Sequence, residues 1–431
     1  MAKSNKLPGY LGWPIIGDKT HDFLKNPVKF FEKYSEVYKS AIFLTRLFNK
    51  PTIIVGSYEG VKQVLCDRTE ELSHGYKLFL SDLYGENIFV ANDDKAEVIH
   101  KFLADQFSKD NLHSYELIIE RIINEEMRSL DKTSPVDIYS FFKELSSLIC
   151  FTLFLGIDAS QSKELIQELT DLTTIQWHGI TTFPLNLHVR RHSSLRFRRA
   201  SDAKTDLLGI IKKQRPIAQC GFVKQVNNVP ETNDDSYINS NILVFISSLV
   251  SKAIASYLTS FFITTGQNNH VELQEKMYVD KNLEDQVLLE TQRLYPPFVC
   301  GRKLAKTECI IDGHKVPEGY SIIYLTYAAH RDENIFENPN DFNADRWNEF
   351  SKKKLFTFGD GPRSCIGFDI VMSIVKSIVQ RIIAQYEWKL QTTDVIQYKW
   401  FPVIRPNTPV CVEFSSKVEI RHLGDQHFTR F

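Results

Sequence analysis

The stretch "LFTFGDGPRSCIGFDI", residues Leu355–Ile370, sets one cysteine among glycines, a proline and an arginine, just ahead of an apolar helical pattern. Gly359, Gly361 and Pro362 make a turn-rich loop whose backbone N–H groups can converge on one atom. Gly367 lets the chain approach a flat ligand before the helix begins. A helix start favours a negative sulfur. Together these features suit a metal-bound thiolate in a dry site, with amide hydrogen bonds tempering the sulfur's electron donation. The competing reading, a lone cysteine packed as a small hydrophobe, needs none of the surrounding residues.

The spacing Phe358-x-x-Gly361-x-Arg363-x-Cys365-x-Gly367 resembles the haem-ligand loop of the cytochrome P450 superfamily. The resemblance implies that Cys365 is the axial ligand of a haem b iron. It also implies that Phe358 packs beside the sulfur and that Arg363 pairs with a haem propionate. Upstream, "ETQR" puts Glu290 and Arg293 at i and i+3 on one helical face, where they can pair. That motif is common on any surface helix, but here it precedes "LYPP" and lies ahead of "FNADRW", Phe342–Trp347. In the family such a pair meets an arginine at the position of Arg346 and locks the section carrying the cysteine loop, a structural role. Ala344 stands where proline is usual. Arg302, in "CGRKLA", falls where the family often places a second propionate partner. The likeness runs from "LPGYLGWPIIGD" to "WFPVIRPNTPV" and is nearest in flavour to the soluble cyanobacterial and retinoic-acid-hydroxylating branch. It implies a mainly α fold with small β-sheets, with haem between a long central helix and the helix after Cys365.

The bulk properties agree with such a protein. A chain of 431 residues, 43% hydrophobic and 24% charged, can bury a large core. No Gly/Ser- or Pro-rich linker divides it, so a single domain over 1–431 is expected, with β-rich portions near 40–60 and 300–330. Lys+Arg of 52 against Asp+Glu of 53 gives no bias toward nucleic acid or anionic membranes. "RRHSSLRFRR", Arg190–Arg199, reads as a solvated basic face or as a docking surface for an acidic electron-transfer protein or a lipid headgroup. Seven scattered cysteines form no C-x-x-C pair, so neither a zinc cluster nor a secreted disulfide framework is indicated. The N-terminus has no apolar signal region, so a soluble, cytoplasmic protein without a stable membrane anchor is expected. Asn241–Thr264 is long and apolar enough to span a bilayer, but Lys252 at its centre and seven Ser or Thr residues favour one long helix through a protein core.

That helix departs from the family pattern, which carries small residues, then an acid and a threonine that deliver protons to bound dioxygen. Ser247-Ser248-Leu249-Val250-Ser251 falls on those places, so Val250 replaces the acid and Ser251 the threonine. No Asp or Glu occurs between Asn241 and Thr264, so a one-residue shift restores nothing. Lys252, about 100° around the helix from Ser251, leaves the haem face; a role toward a substrate carboxylate is its alternative. A second departure lies in "DDKAEVIHKFLADQFS", where Ala96 and His100, with Lys101 beside it, replace the usual Trp or His and Arg toward the propionates. His100 is either a propionate donor or a half-exposed helix histidine.

Four functions compete: monooxygenation, oxidative coupling or desaturation, peroxide-using isomerase, lyase or peroxygenase chemistry, and non-catalytic haem or ligand binding. Oxidative tailoring of a hydrophobic, aromatic or isoprenoid small molecule ranks first, because the cysteine loop is regular. By resemblance Trp177, Phe183, Leu185, Ile246, Phe298, Val299, Trp400 and Phe401 face the substrate, beside Ser247, Val250 and Ser251. Ordinary core packing is the alternative for each. No flavin- or nicotinamide-binding segment is fused, so electrons are expected from a separate ferredoxin or flavoprotein.

Overall fold

Pro27–Tyr38 forms the helix that its spacing predicts. Asn26 caps it by accepting the Lys29 N–H at 2.9 Å, Pro27 takes the first turn, and Lys39 closes it in a left-handed conformation. The same logic starts Lys281–Leu294, where Asp280 accepts the Asn282 and Leu283 N–H groups. This helix ends just before the double proline, which cannot continue it. The computed structural model describes residues 7–417 apart from 92–93, 129, 131–133, 159–161, 181–194, 219–221, 224–225, 227–234, 268–270, 348–354 and 393.

The architecture is mainly α-helical with small sheets. A five-stranded sheet runs in the order Ile42–Leu47, Lys50–Val55, Ser321–Tyr324, Gly301–Ala305, Leu72–His74. Lys50–Val55 and Ser321–Tyr324 pair in parallel, and the other neighbours are antiparallel. The segment "CIIDGHKVPEG", whose Asp-Gly pair between apolar runs predicts a hairpin, pairs Cys309–Ile311 with His314–Val316 and turns at Asp312 and Gly313 with positive φ. A closing sheet joins Val136–Asp137, Cys411–Ser416 and Tyr386–Leu390.

The largest core packs the helices Lys109–Met127, Ile138–Leu155, Ser248–Gly266 and Phe368–Gln385 against one another. Ile138–Leu155 and the run Asp235–Gly266 are long and apolar enough to cross a membrane, yet most of each is buried inside the protein. The single long helix expected over Asn241–Thr264 is instead two. Asp235–Ile246 ends and Ser248–Gly266 begins at Ser247, whose backbone is extended at φ −71°, ψ 158°. The Ser247 hydroxyl donates to the Val244 carbonyl at 2.7 Å and accepts the Leu249 N–H at 3.2 Å. Those two bonds replace backbone bonds given up at the break, which a helix-period reading could not foresee.

Candidate functional site

The cysteine loop is held by its own backbone. The Cys365 N–H donates to the Phe358 carbonyl at 2.8 Å, and the Gly359 N–H to the Phe356 carbonyl at 2.9 Å. Gly361, at φ 69°, is indispensable: a Cβ there would stand 2.6 Å from the Leu65 carbonyl oxygen. Gly359 also takes positive φ. The Asp360 carboxylate accepts the Gly361 N–H, and a further bond from the Cys66 thiol ties the loop to the short turn Gln63–Asp67. Phe358 meets Phe368 edge-on at 5.0 Å. Gly367 lies so close to the sulfur that a Cβ would touch Sγ at 3.9 Å. Cys365 is accessible, yet burial raises its pKa while the Gly367 N–H lowers it. Metal binding is what deprotonates such a thiol at neutral pH.

Four basic groups gather beside the loop. His74 and Lys303 are direct partners across the antiparallel pair Leu72–His74 and Gly301–Ala305. Arg363 and His100 complete the cluster. Burial and mutual repulsion push His74 down to about 3 and Lys303 to about 8. His100 is also lowered by burial and by Arg363, while a hydrogen bond to the Ser364 carbonyl raises it. Arg363 Nη1 is buried without a hydrogen-bond partner among the described residues. A thiol flanked by a basic cluster that holds a guanidinium nitrogen unpartnered among the described residues fits a haem: Cys365 would hold its iron and the cluster would bind its propionates.

Arg302 lies on the other face of the same strand. Neighbouring strand residues point to opposite faces, so Lys303 lies on the loop side while Arg302 sits 5.3 Å over the Phe48 ring and its N–H donates to the Tyr76 hydroxyl. Lys101, next to His100, is exposed. The sequence reading missed His74 and Lys303; the strand register was the signal that could have found them.

Glu290 and Arg293 are fully buried and form a two-pronged ion pair at 2.8 and 2.9 Å. Arg346 Nε donates to the same carboxylate at 3.0 Å, as do Trp347 Nε1 and the Asn343 N–H. Arg293 also reaches the His330 and Asp341 carbonyls. His330 Nε2 in turn accepts the Phe356 N–H at 2.8 Å, just before the cysteine loop. The ion pair thus holds that loop through a continuous chain of bonds.

At the helix break, Ile246, Ser247 and Ser251 are buried and Val250 is half-buried. The Ser251 hydroxyl has no hydrogen-bond partner among the described residues. Tyr84 lies against Ser247; burial raises its phenol and the serine offsets part of the rise. Trp177 is buried, with the Lys252 ammonium 4.6 Å above its ring. Val299 is buried and Phe298 half-buried, its carbonyl accepting from Thr326. Trp400 packs on Tyr327 and Tyr398, and Phe401 on Phe23. Phe183 and Leu185 lie outside the described residues, as do Arg190 and Arg191; Arg196, Arg198 and Arg199 are exposed.

A family model for cytochrome P450 matches residues 7–220 and 264–414. The gap between the two matched parts spans the helix break and contains Val250 and Ser251. Among curated proteins, the chain is 21% identical to abscisic acid 8'-hydroxylase 1 of Arabidopsis thaliana, over 97% of this chain and 94% of that one. It is 25% identical to cytochrome P450 26A1 of Xenopus laevis, over 90% and 86%. It is 24% identical to the putative cytochrome P450 120 of Synechocystis sp., over 95% and 96%. The solved structure of a retinoic acid-bound cyanobacterial CYP120A1 superposes with a TM-score of 0.82 at 21% identity, covering 96% of this chain and all of that one.

Proposed function

The chain belongs to the cytochrome P450 family of oxidoreductases, and from that premise we propose that it hydroxylates a hydrophobic small molecule with electrons from a separate ferredoxin or flavoprotein. When bound at Cys365, a thiolate-ligated haem supplies the activation of dioxygen that this chemistry needs. The protein's part is to hold the thiolate, bind the propionates through Arg363, Lys303 and His100, and deliver protons.

The observation that carries the reading is Ser251. Its hydroxyl is buried, lies one turn beyond the Ser247 break, and has no protein partner among the described residues. Such a group can bind a water molecule and pass a proton, which Val250 cannot do. The names of the relatives support hydroxylation: one is an abscisic acid 8'-hydroxylase, and another was solved with retinoic acid bound. Coupling or desaturation is the second reading, favoured by the missing acid at Val250, because a substrate's own X–H groups can then supply the protons.

Mass spectrometry of products made by the holoenzyme with a surrogate ferredoxin system decides between them. A gain of one oxygen supports hydroxylation. A loss of hydrogens, or two substrates joined, overturns it in favour of the second reading.

A further inference from the structure

Away from the cysteine loop, a cavity of ≈ 390 Å³ gathers an excess of positive charge. It lies between the first turns of Ile138–Leu155, the end of Lys163–Ile180, the helix Ser248–Gly266 and the hairpin Tyr398–Pro406. Lys143, Lys252, Lys399 and Arg405 line it. None of these four forms an ion pair among the described residues. Asp137 is the one carboxylate of the lining against these four cations; its Oδ2 accepts the Ser140 hydroxyl at 2.6 Å, and its Oδ1 is buried with no hydrogen-bond partner among the described residues. The lining also has an apolar side, made by Trp177, Pro402 and Val403.

Lys252 is the telling member. It is only 8% exposed, and among the described residues its close favourable contact is the Trp177 ring face. Burying an ammonium among other cations is unfavourable unless an anion joins them. Lys252 follows Ser251 directly, about 1.5 Å along the axis and about 100° around the helix, so the cavity opens on the face of this helix next to the one that carries the Ser251 hydroxyl.

We propose that the substrate carries a carboxylate on an apolar body, and that Lys143, Lys252 and Arg405 hold this carboxylate in the cavity. Arg405 supplies a planar donor fork suited to a carboxylate, and the two lysines supply point charges. The wall of Trp177, Pro402 and Val403 takes the first carbons of the body. The inference rests on the proposed oxidation of an apolar molecule and adds its polar end.

The test is calorimetric titration of the holoenzyme with apolar monocarboxylic acids of eight to sixteen carbons, each beside its methyl ester, and with dodecyl phosphate. We expect at least one acid to bind tenfold or more tighter than its ester. Lys252→Met and Arg405→Gln should each erase that preference while leaving ester binding within about twofold. Equal binding of acids and esters throughout, or a preference that survives both variants, overturns the proposal. Tighter binding of dodecyl phosphate than of dodecanoate overturns the carboxylate assignment. The thiolate signature of the reduced carbon-monoxide complex, read on the same samples, tests the haem–thiolate reading separately. A normal signature without acid preference sinks the anion site alone; an absent signature sinks the functional reading while the calorimetry still judges the cavity.

Discussion

Lys303 stands directly opposite His74 in an antiparallel strand pair, and this relationship places a buried ammonium beside Arg363. Arg302, one residue earlier, turns to the other face and packs over Phe48. The side of the strand thus sets Lys303 and Arg302 apart as two candidate propionate partners. Replacing Lys303 by Met is expected to speed haem loss to apomyoglobin roughly tenfold, as befits one charge-assisted hydrogen bond. Arg302→Met should change that rate less than Lys303→Met. The reverse order would return the role to Arg302.

The Glu290 carboxylate serves Arg293, Arg346, Trp347 and the Asn343 backbone at once. Removing it strands a buried guanidinium, a loss of about 3–5 kcal/mol. Glu290→Ala should therefore yield little holoenzyme and a lowered unfolding midpoint. Trp347→Phe, which deletes one bond to the carboxylate, should cost about 1.5–3 kcal/mol and keep the haem. Chemical denaturation of both variants checks the order.

Much of this was legible because local rules and global fold agreed. Pro27–Tyr38, the turn at Asp312-Gly313 and the stop before the double proline follow from capping, turn and proline chemistry. The Glu290–Arg293 pair follows from helical spacing. Two features were hidden. The break at Ser247 depends on side-chain bonds to Val244 and Leu249 that compete with the backbone ladder, and the surrounding apolar pattern runs straight through it. The pairing of Lys303 with His74 joins residues far apart in sequence, and a shift of one position exchanges the faces of the strand.

Ser251 offers a cleaner separation of chemistry from structure. Since its hydroxyl has no hydrogen-bond partner among the described residues, Ser251→Ala forfeits no protein bond and should leave the unfolding midpoint unchanged or slightly raised. Loss of a proton-relay group should still lower product formation, on the order of 10²-fold, while electrons consumed per product rise. Ser251→Thr, which keeps the hydroxyl, should retain most of the activity. Full activity in the alanine variant would remove Ser251 from proton delivery.

Lys252 sets a pH dependence whose sign can be worked out. Burial, then Lys143 and Arg405, hold its pKa down at about 7, against the ordinary 10.5. His178, Lys399, Asp137 and Tyr139 also line its surroundings. Between about 7 and 10.5 the unfolded chain keeps this proton while the folded protein has released it, so the group makes stability rise with pH across that window. Below about pH 7 both states are protonated and the folded state bears the whole cost of the buried charge. Lys252→Met removes that cost. The variant should be more stable than the wild type by roughly 2–4 kcal/mol at pH 6, with the difference shrinking toward zero near pH 10.5. A saturating apolar carboxylic acid should narrow the gap at pH 6, because it stabilises the wild type's charged lysine and finds no ammonium at position 252 in the variant. Denaturation curves at pH 6, 8 and 10, with and without the acid, read both effects. A difference that stays constant with pH would mean that Lys252 remains fully charged in the folded protein.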